Sequence, residues 1–202
     1  AEGGKSGASC AWVRANSFPG AQKMQLFTDK IDSRDICQGS LGDCWLLAAM
    51  ACLAEHPGAI DAVFKSKERN PRGKYRMRIF DGVKKRWESV VIDDHIPCNK
   101  EAFERDGTCE PLFTKPNGNE LWAMLLEKAF AKFCGSYHSI EGGNTVWAIS
   151  AMTGDPGRCF MQSEDKKTWM RADMVYQNDK KNRRAAHFQG VPGKSETFDN
   201  DS

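Results

Sequence analysis

The most constraining text in this chain is CWLLAAMACLA, which runs from Cys44 towards Glu55 without a polar break. Its Leu, Ala and Met residues are good helix formers, and Pro57-Gly58 just beyond is a stop signal. A helix that is apolar on every side cannot face water, so the rest of the chain must wrap around it. The 202 residues, 40% of them hydrophobic, suffice for one globular domain with a substantial core or two small ones. The run falls short of the roughly 18 apolar residues that a bilayer crossing needs.

The wrapping elements are legible on either side. GKYRMRIFD, Gly73 to Asp81, sets Tyr75, Met77 and Ile79 against basic residues, which is strand periodicity. Asp81-Gly82 is a turn signal and RWESVVIDD a second strand, so a hairpin is expected. PNGNELWAMLLEKAFAKFCG reads as an amphipathic helix, with Leu121, Leu125, Ala129 and Phe133 on one stripe and Trp122, Leu126 and Phe130 widening it. Asn117 or Asn119 can cap its start, Glu120 suits its first turn and Gly135 ends it. A weaker helix follows in NTVWAISAMTG. Residues 1–9 are Gly/Ser-rich and expected to be flexible, and 178–202 is polar, without period, and reads as a tail or linker. The organised part is then 10–177, an α+β domain rich in helix, with a buried central helix and a small antiparallel sheet.

A net charge of +2 points to neither nucleic acid nor a membrane surface. The opening AEGGKSGASCAWVRA lacks the charged-then-apolar order of a secretory signal, and the absent initiator Met suggests a fragment or processed chain. Eight cysteines are many for this length, and an even count invites a disulfide reading. Against it, Cys44, Cys52 and Cys134 sit inside apolar patterns, where a free thiol packs like a small hydrophobe. No CxxC pair occurs, which argues against a zinc knuckle. A reduced, cytoplasmic protein is the expectation.

Cys44 opens the apolar helix from a glycine-bearing turn, QGSLGDC. It can be a core thiol, a metal ligand, half of a disulfide or a nucleophile. Nucleophilic chemistry needs a thiolate, and a helix N-terminus supplies partial positive charge that favours one. Gly39 and Gly42 let backbone come close to a reacting atom. The Gln38 amide can donate to a developing oxyanion together with the backbone N–H of Cys44. A lone Cys on an apolar helix would be structural; Gln, two glycines, Asp43, Cys44 and Trp45 together favour the nucleophile. Asp43 is placed to cap the helix, although a negative charge beside a thiol opposes its ionisation. Trp45, Trp122 and Trp147 read as core before cleft, Met50, Met152 and Met161 as packing residues, and Asp93-Asp94 as a solvated turn.

QGSLGDCWLLAA resembles the catalytic-cysteine segment of the calpains, calcium-dependent papain-like cysteine proteases. The likeness continues in WESVVIDDHIP, in NGNELWAMLLEKAFAKFCGSY, and in Glu141-Gly142-Gly143 with Thr153-Gly154 beyond it, so that it spans roughly Asp35 to Gly154. The resemblance implies a papain-like N-terminal lobe and limited intracellular proteolysis of protein substrates. Cys44 would be the nucleophile and Gln38 the oxyanion-hole donor. It also implies a second, mainly β lobe that supplies a His and an Asn, in Gly-His-Ala/Ser and aromatic-Asn contexts. Neither context occurs here; His56, His95, His138 and His187 lie at a helix end, after a strand, in a loop and in the polar tail. The chain alone is therefore expected to show no peptidase turnover, since nothing protonates the departing amine.

The resemblance further implies calcium, held by Asp35 and Glu120 with carbonyls from the loop TDKIDSR, Thr28 and Lys30 among them. Calcium takes six to eight hard oxygen ligands, which such a set can supply. Asp29-Lys30 stands where the family often has a Gly pair. The plain alternatives are an Asp35–Arg pair and a Glu120 that merely suits a helix start. Two other readings stand beside the protease. One is a non-catalytic interaction module that kept the lobe and lost the chemistry. The other is a different Cys–His acyl-transfer enzyme, such as a transglutaminase-like or ubiquitin-directed hydrolase.

Overall fold

In the computed structural model, residues 10–28, 31–163, 167–177 and 186–196 are described, the last five as backbone only. Along the chain the elements are β1 (Cys10–Arg14), β2 (Ile36–Cys37), α1 (Cys44–Ala54), α2 (Ala59–Val63), β3 (Lys74–Asp81), β4 (Arg86–Asp93) and β5 (His95–Asn99). There follow α3 (Lys100–Asp106), β6 (Lys115–Pro116), α4 (Trp122–Cys134), α5 (Thr145–Thr153), β7 (Arg158–Gln162), β8 (Trp169–Tyr176) and β9 (Ala186–Glu196). Expected as one small sheet, the strands among the described residues form four antiparallel sheets: β1–β5, β2–β6, β3–β4 and β7–β8–β9. Helices and small sheets are thus mixed, which is compatible with the lobe that the resemblance implies.

The apolar run forms α1 as its composition dictates. Trp45, Leu46, Leu47, Ala49, Met50, Leu53 and Ala54 are buried, and the helix packs on α5, α2 and α4. It is not covered on every side, because Cys44, Ala48 and Cys52 form an exposed stripe four residues apart. Cys98 on β5, rather than Cys44 or Cys52, is the fully buried thiol, and none of the eight cysteines forms a disulfide.

The hairpin β3–β4 turns Tyr75, Met77 and Ile79 inward, and it lies on α4 and α5. α4 is more enclosed than its stripe suggested: Leu125, Leu126, Ala129 and Phe130 are all fully buried. Its lysines reach the sheet edge instead of facing away from it. Lys128 Nζ donates to the Asp93 and His95 carbonyls and the Asp93 carboxylate, and Lys132 Nζ to the Val91 carbonyl. Of the pair read as a solvated turn, Asp93 is exposed as expected, whereas Asp94 is not. Asp94 is buried against Arg14. Burial raises the Asp93 carboxyl, but the Lys128 ammonium and the His95 N–H outweigh it and hold the group at about 2.

α4 starts at Trp122 with no side-chain cap, so Asn117 and Asn119 cap nothing and Glu120 precedes the helix. α5 is capped by Asn144, whose side chain accepts from the N–H groups of Val146 and Trp147. Residues 186–196, read as polar tail, form β9 against β8. Tyr176 at the end of β8 fills the space that a side chain on Gly82 would take, and its hydroxyl meets Ser150 Oγ at 2.9 Å. The three-stranded sheet is thereby joined to the hairpin and to α5. Met50 and Met152 are core residues as expected, whereas Met161 on β7 is exposed. Residues 1–9 and 178–185 lie outside the described residues.

Candidate active site

Cys44 is the first residue of α1 and is exposed. Helices begin where the chain can leave helical backbone, and here the Asp43 carbonyl accepts the first bonds, from the N–H groups of Leu46 and Leu47. The thiol thus stands at a helix N-terminus, on the end with partial positive charge.

The turn before it is fastened from outside. Ser40 donates both its N–H, at 3.0 Å, and its hydroxyl, at 2.8 Å, to the Leu112 carbonyl. A Cβ on Gly39 would collide with the Phe113 carbonyl, so only glycine lets the two segments lie this close. Gln38 is exposed and donates one amide hydrogen to the Leu41 carbonyl at 3.1 Å. An amide nitrogen carries two hydrogens, so this bond uses one and fixes the group over the turn.

On the other flank, the Gly142 N–H donates to the Gly42 carbonyl at 2.8 Å. A Cβ on Gly143 would collide with the Trp45 ring, which is pinned by its Nε1 bond to the Ile140 carbonyl and by Trp147 at 5.8 Å. Gly142, Gly143, Asn144 and Trp147 then form one side of a cavity of about 250 Å³, closed by Met174 and by His187 and Phe188 of β9. His187, set aside from the sequence as tail, is the one histidine of this wall, 3.4 Å from the Gln177 amide. Among the described residues no imidazole is hydrogen-bonded to the Cys44 sulfur. His56 follows α1, His95 opens β5, and His138 pairs with Glu141.

Asp43 does not cap α1. Its carboxylate is 1% exposed and turned to the equally buried Glu127 of α4, an inward acid that the sequence reading did not single out. Burial, and then the neighbouring Asp43 charge, push the Glu127 carboxyl well up, while Thr114 pulls the other way. A polar residue on the seam of an apolar stripe was the available signal.

The expected calcium ligands come together in part. Asp35 ends a 3₁₀ turn, Ser33–Asp35, where its carboxylate accepts the Asp32 N–H at 2.7 Å. Glu120 is 5% exposed, accepts from the Thr28 N–H and from Trp122 Nε1, and faces Asp35. Burial, then the adjacent Asp35 carboxyl, raises the Glu120 carboxyl. Arg34 is bound to Asp32, so the Asp35–Arg alternative gains no support. Lys30 lies outside the described residues. No group of three or more His, Cys, Asp or Glu side chains gathers to hold a metal among the described residues. Two facing, half-desolvated carboxyls suit a hard divalent cation, with carbonyls and water completing the shell.

A thiol presented at a helix tip, between a fastened turn and a glycine strip, is accessible to a substrate in the way a cysteine nucleophile needs to be. The chain belongs to the calpain family of cysteine proteases: the model of the family described as calpain family cysteine protease matches residues 2–192. It is 41% identical over 133 residues to the calpain-type cysteine protease DEK1 of Zea mays and to ADL1 of Oryza sativa subsp. japonica. Those matches cover 65% of this chain and 6% of each relative. It is 37% identical over 147 residues to Calpain-A of Drosophila melanogaster, covering 71% of this chain and 16% of that protein. The chain thus spans a small part of the length of the curated relatives it matches.

Proposed function

We propose that this chain is the nucleophile half of a calcium-regulated cysteine endopeptidase, a papain-like first lobe acting in limited proteolysis in the cytoplasm. The observation that carries it is the exposed Cys44 sulfur at the first residue of α1, flanked by the Gln38 turn and the Gly142–Gly143 strip. The Cys44 thiolate would attack the scissile carbonyl, and the oxyanion would take hydrogen bonds from Gln38 Nε2 and the Cys44 N–H. Collapse to a thioester expels the amine, which leaves with a proton from an imidazole; water then releases the acid.

The imidazole and its orienting Asn are assigned to a second lobe. The stripe Cys44, Ala48, Cys52 supports such a neighbour, since three small residues in line on an apolar helix leave room for close approach. Asp35 and Glu120, with the Thr28 and Lys30 carbonyls, would hold calcium, and the Asp35 turn lies one short strand before Gln38. When bound, the ion supplies the charge that neutralises the facing carboxyls and ties that turn to the start of α4.

The test is casein cleavage by the chain alone and by the chain joined to its second lobe. The expected result is turnover only in the joined form, lost in Cys44→Ala. Turnover by the isolated chain, lost in Cys44→Ala, would overturn the two-lobe assignment. Joined protein in which Cys44→Ala still cleaves would overturn the role of Cys44.

A further inference from the structure

The turn that carries Gln38 and Cys44 is fastened at both ends, and both fastenings lead to one side chain. At its far end Asp43 immediately precedes Cys44, and both Asp43 carboxylate oxygens are buried with no side-chain hydrogen-bond donor other than Glu127 among the described residues. At its near end Gly39 and Ser40 lie against Leu112 and Phe113. The next residue, Thr114, donates its N–H to Glu127 Oε1 at 3.1 Å and its hydroxyl to the same oxygen at 2.5 Å. Glu127 is 2% exposed.

Two carboxyls in contact in the interior cannot both be ionised. The buried Asp43 oxygens lack a side-chain donor, and a proton held on Glu127, which faces them, supplies it. We propose that Glu127 is a positioning residue for the nucleophile turn: its protonated carboxyl donates to the Asp43 carboxylate while accepting from Thr114, clipping both ends of the 38–44 turn to α4. The inference rests on Cys44 being the nucleophile and extends that reading to a residue two helices away.

The surroundings favour a single shared proton. The Tyr137 hydroxyl is the other titratable group near both acids, and burial, then those acids, keep it protonated. Asp93 and Cys10 act on that hydroxyl from further out. Lys128, the next residue on α4, is committed to Asp93 and the His95 carbonyl. Among the described residues no ammonium or guanidinium is paired with Asp43 or Glu127. Losing the proton would therefore place a second negative charge beside the thiol with nothing to offset it.

The experiment is iodoacetamide alkylation of the chain, read by peptide mass spectrometry as the Cys44 rate divided by that of Cys52, which is exposed on the same helix. In wild type the ratio is expected to fall towards alkaline pH as the shared proton leaves. In E127Q the amide donates to Asp43 at every pH and still accepts from Thr114, so the ratio no longer falls. E127A leaves Asp43 charged and unclipped, and the ratio is expected to drop roughly tenfold near neutrality, with E127Q restoring it to within about twofold. Superimposable pH profiles for wild type and E127Q would overturn the clip, and that comparison stands even where E127A does not fold. A wild-type Cys44 no faster than Cys52 would instead overturn the nucleophile reading, while the contrast between E127Q and wild type still reports on the clip.

Discussion

Gln38 holds its amide over the nucleophile turn through the Leu41 carbonyl, which orients the second hydrogen before any substrate arrives. An oxyanion donor fixed in advance acts on the transition state and little on substrate binding. Gln38→Ala in the two-lobed protein is therefore expected to lower kcat by about 10²-fold with KM nearly unchanged, measured by steady-state peptide hydrolysis. Gly143 works by absence. Its missing Cβ admits the Trp45 ring, which cannot retreat because Ile140 and Trp147 hold it. Gly143→Ala should cost about 1–3 kcal/mol of stability in urea unfolding, the size of an overpacked contact.

α1 and α4 both read as helices in the sequence, yet they are exposed differently from what their patterns predict. Continuous apolarity made α1 look covered all round, whereas the real helix offers Cys44, Ala48 and Cys52 to solvent. Small residues give no periodic signal, so this face was invisible to patterning. α4 looked amphipathic, and Lys132 does stay exposed, but both Lys128 and Lys132 donate to β4 carbonyls, so Lys128 is drawn partly under cover. Met50 lies at the centre of α1 with no exposed surface. Met50→Ala should lose about 2–5 kcal/mol in chemical denaturation, with the spread set by how far the helices can close over the void.

Across the whole molecule, two acid pairs join segments that are distant in sequence: Asp43 with Glu127, and Asp35 with Glu120. The first ties stability to pH. Glu127 is raised well above its ordinary 4.5, so the folded state binds the proton more tightly than the unfolded chain does. That contribution is complete below the ordinary value and is lost as pH rises through the folded one. The unfolding free energy of wild type should decline over that interval relative to E127Q, which has no proton to lose, as measured by urea titrations at successive pH values. The second pair is expected to respond to calcium. Added calcium should raise the thermal midpoint, and Asp35→Ala should abolish the rise, as read by calorimetry; an unchanged rise in Asp35→Ala would remove Asp35 from the ligand set.

The sequence by itself determined the local elements and the chemical character of the site. Periodicity places β3, β4 and the core of α4, continuous apolarity places α1, and Gln38, Gly39, Gly42 and Cys44 stand in the order of the proposed thiol nucleophile. Those features depend on neighbours a few residues apart, where side-chain period and backbone freedom leave a signature. Tertiary structure alone decided which polar groups meet. The Asp43–Glu127 contact, the grip of Leu112 and Phe113 on the turn, and the pairing of β9 with β8 bring together residues far apart in the chain. In β9 a stretch with Gly190 and Pro192 and no alternation becomes a strand because β8 offers it an unpaired edge. An inward Glu and an outward one look the same in a sequence; burial and a partner's proton tell them apart, and both are properties of the packed molecule.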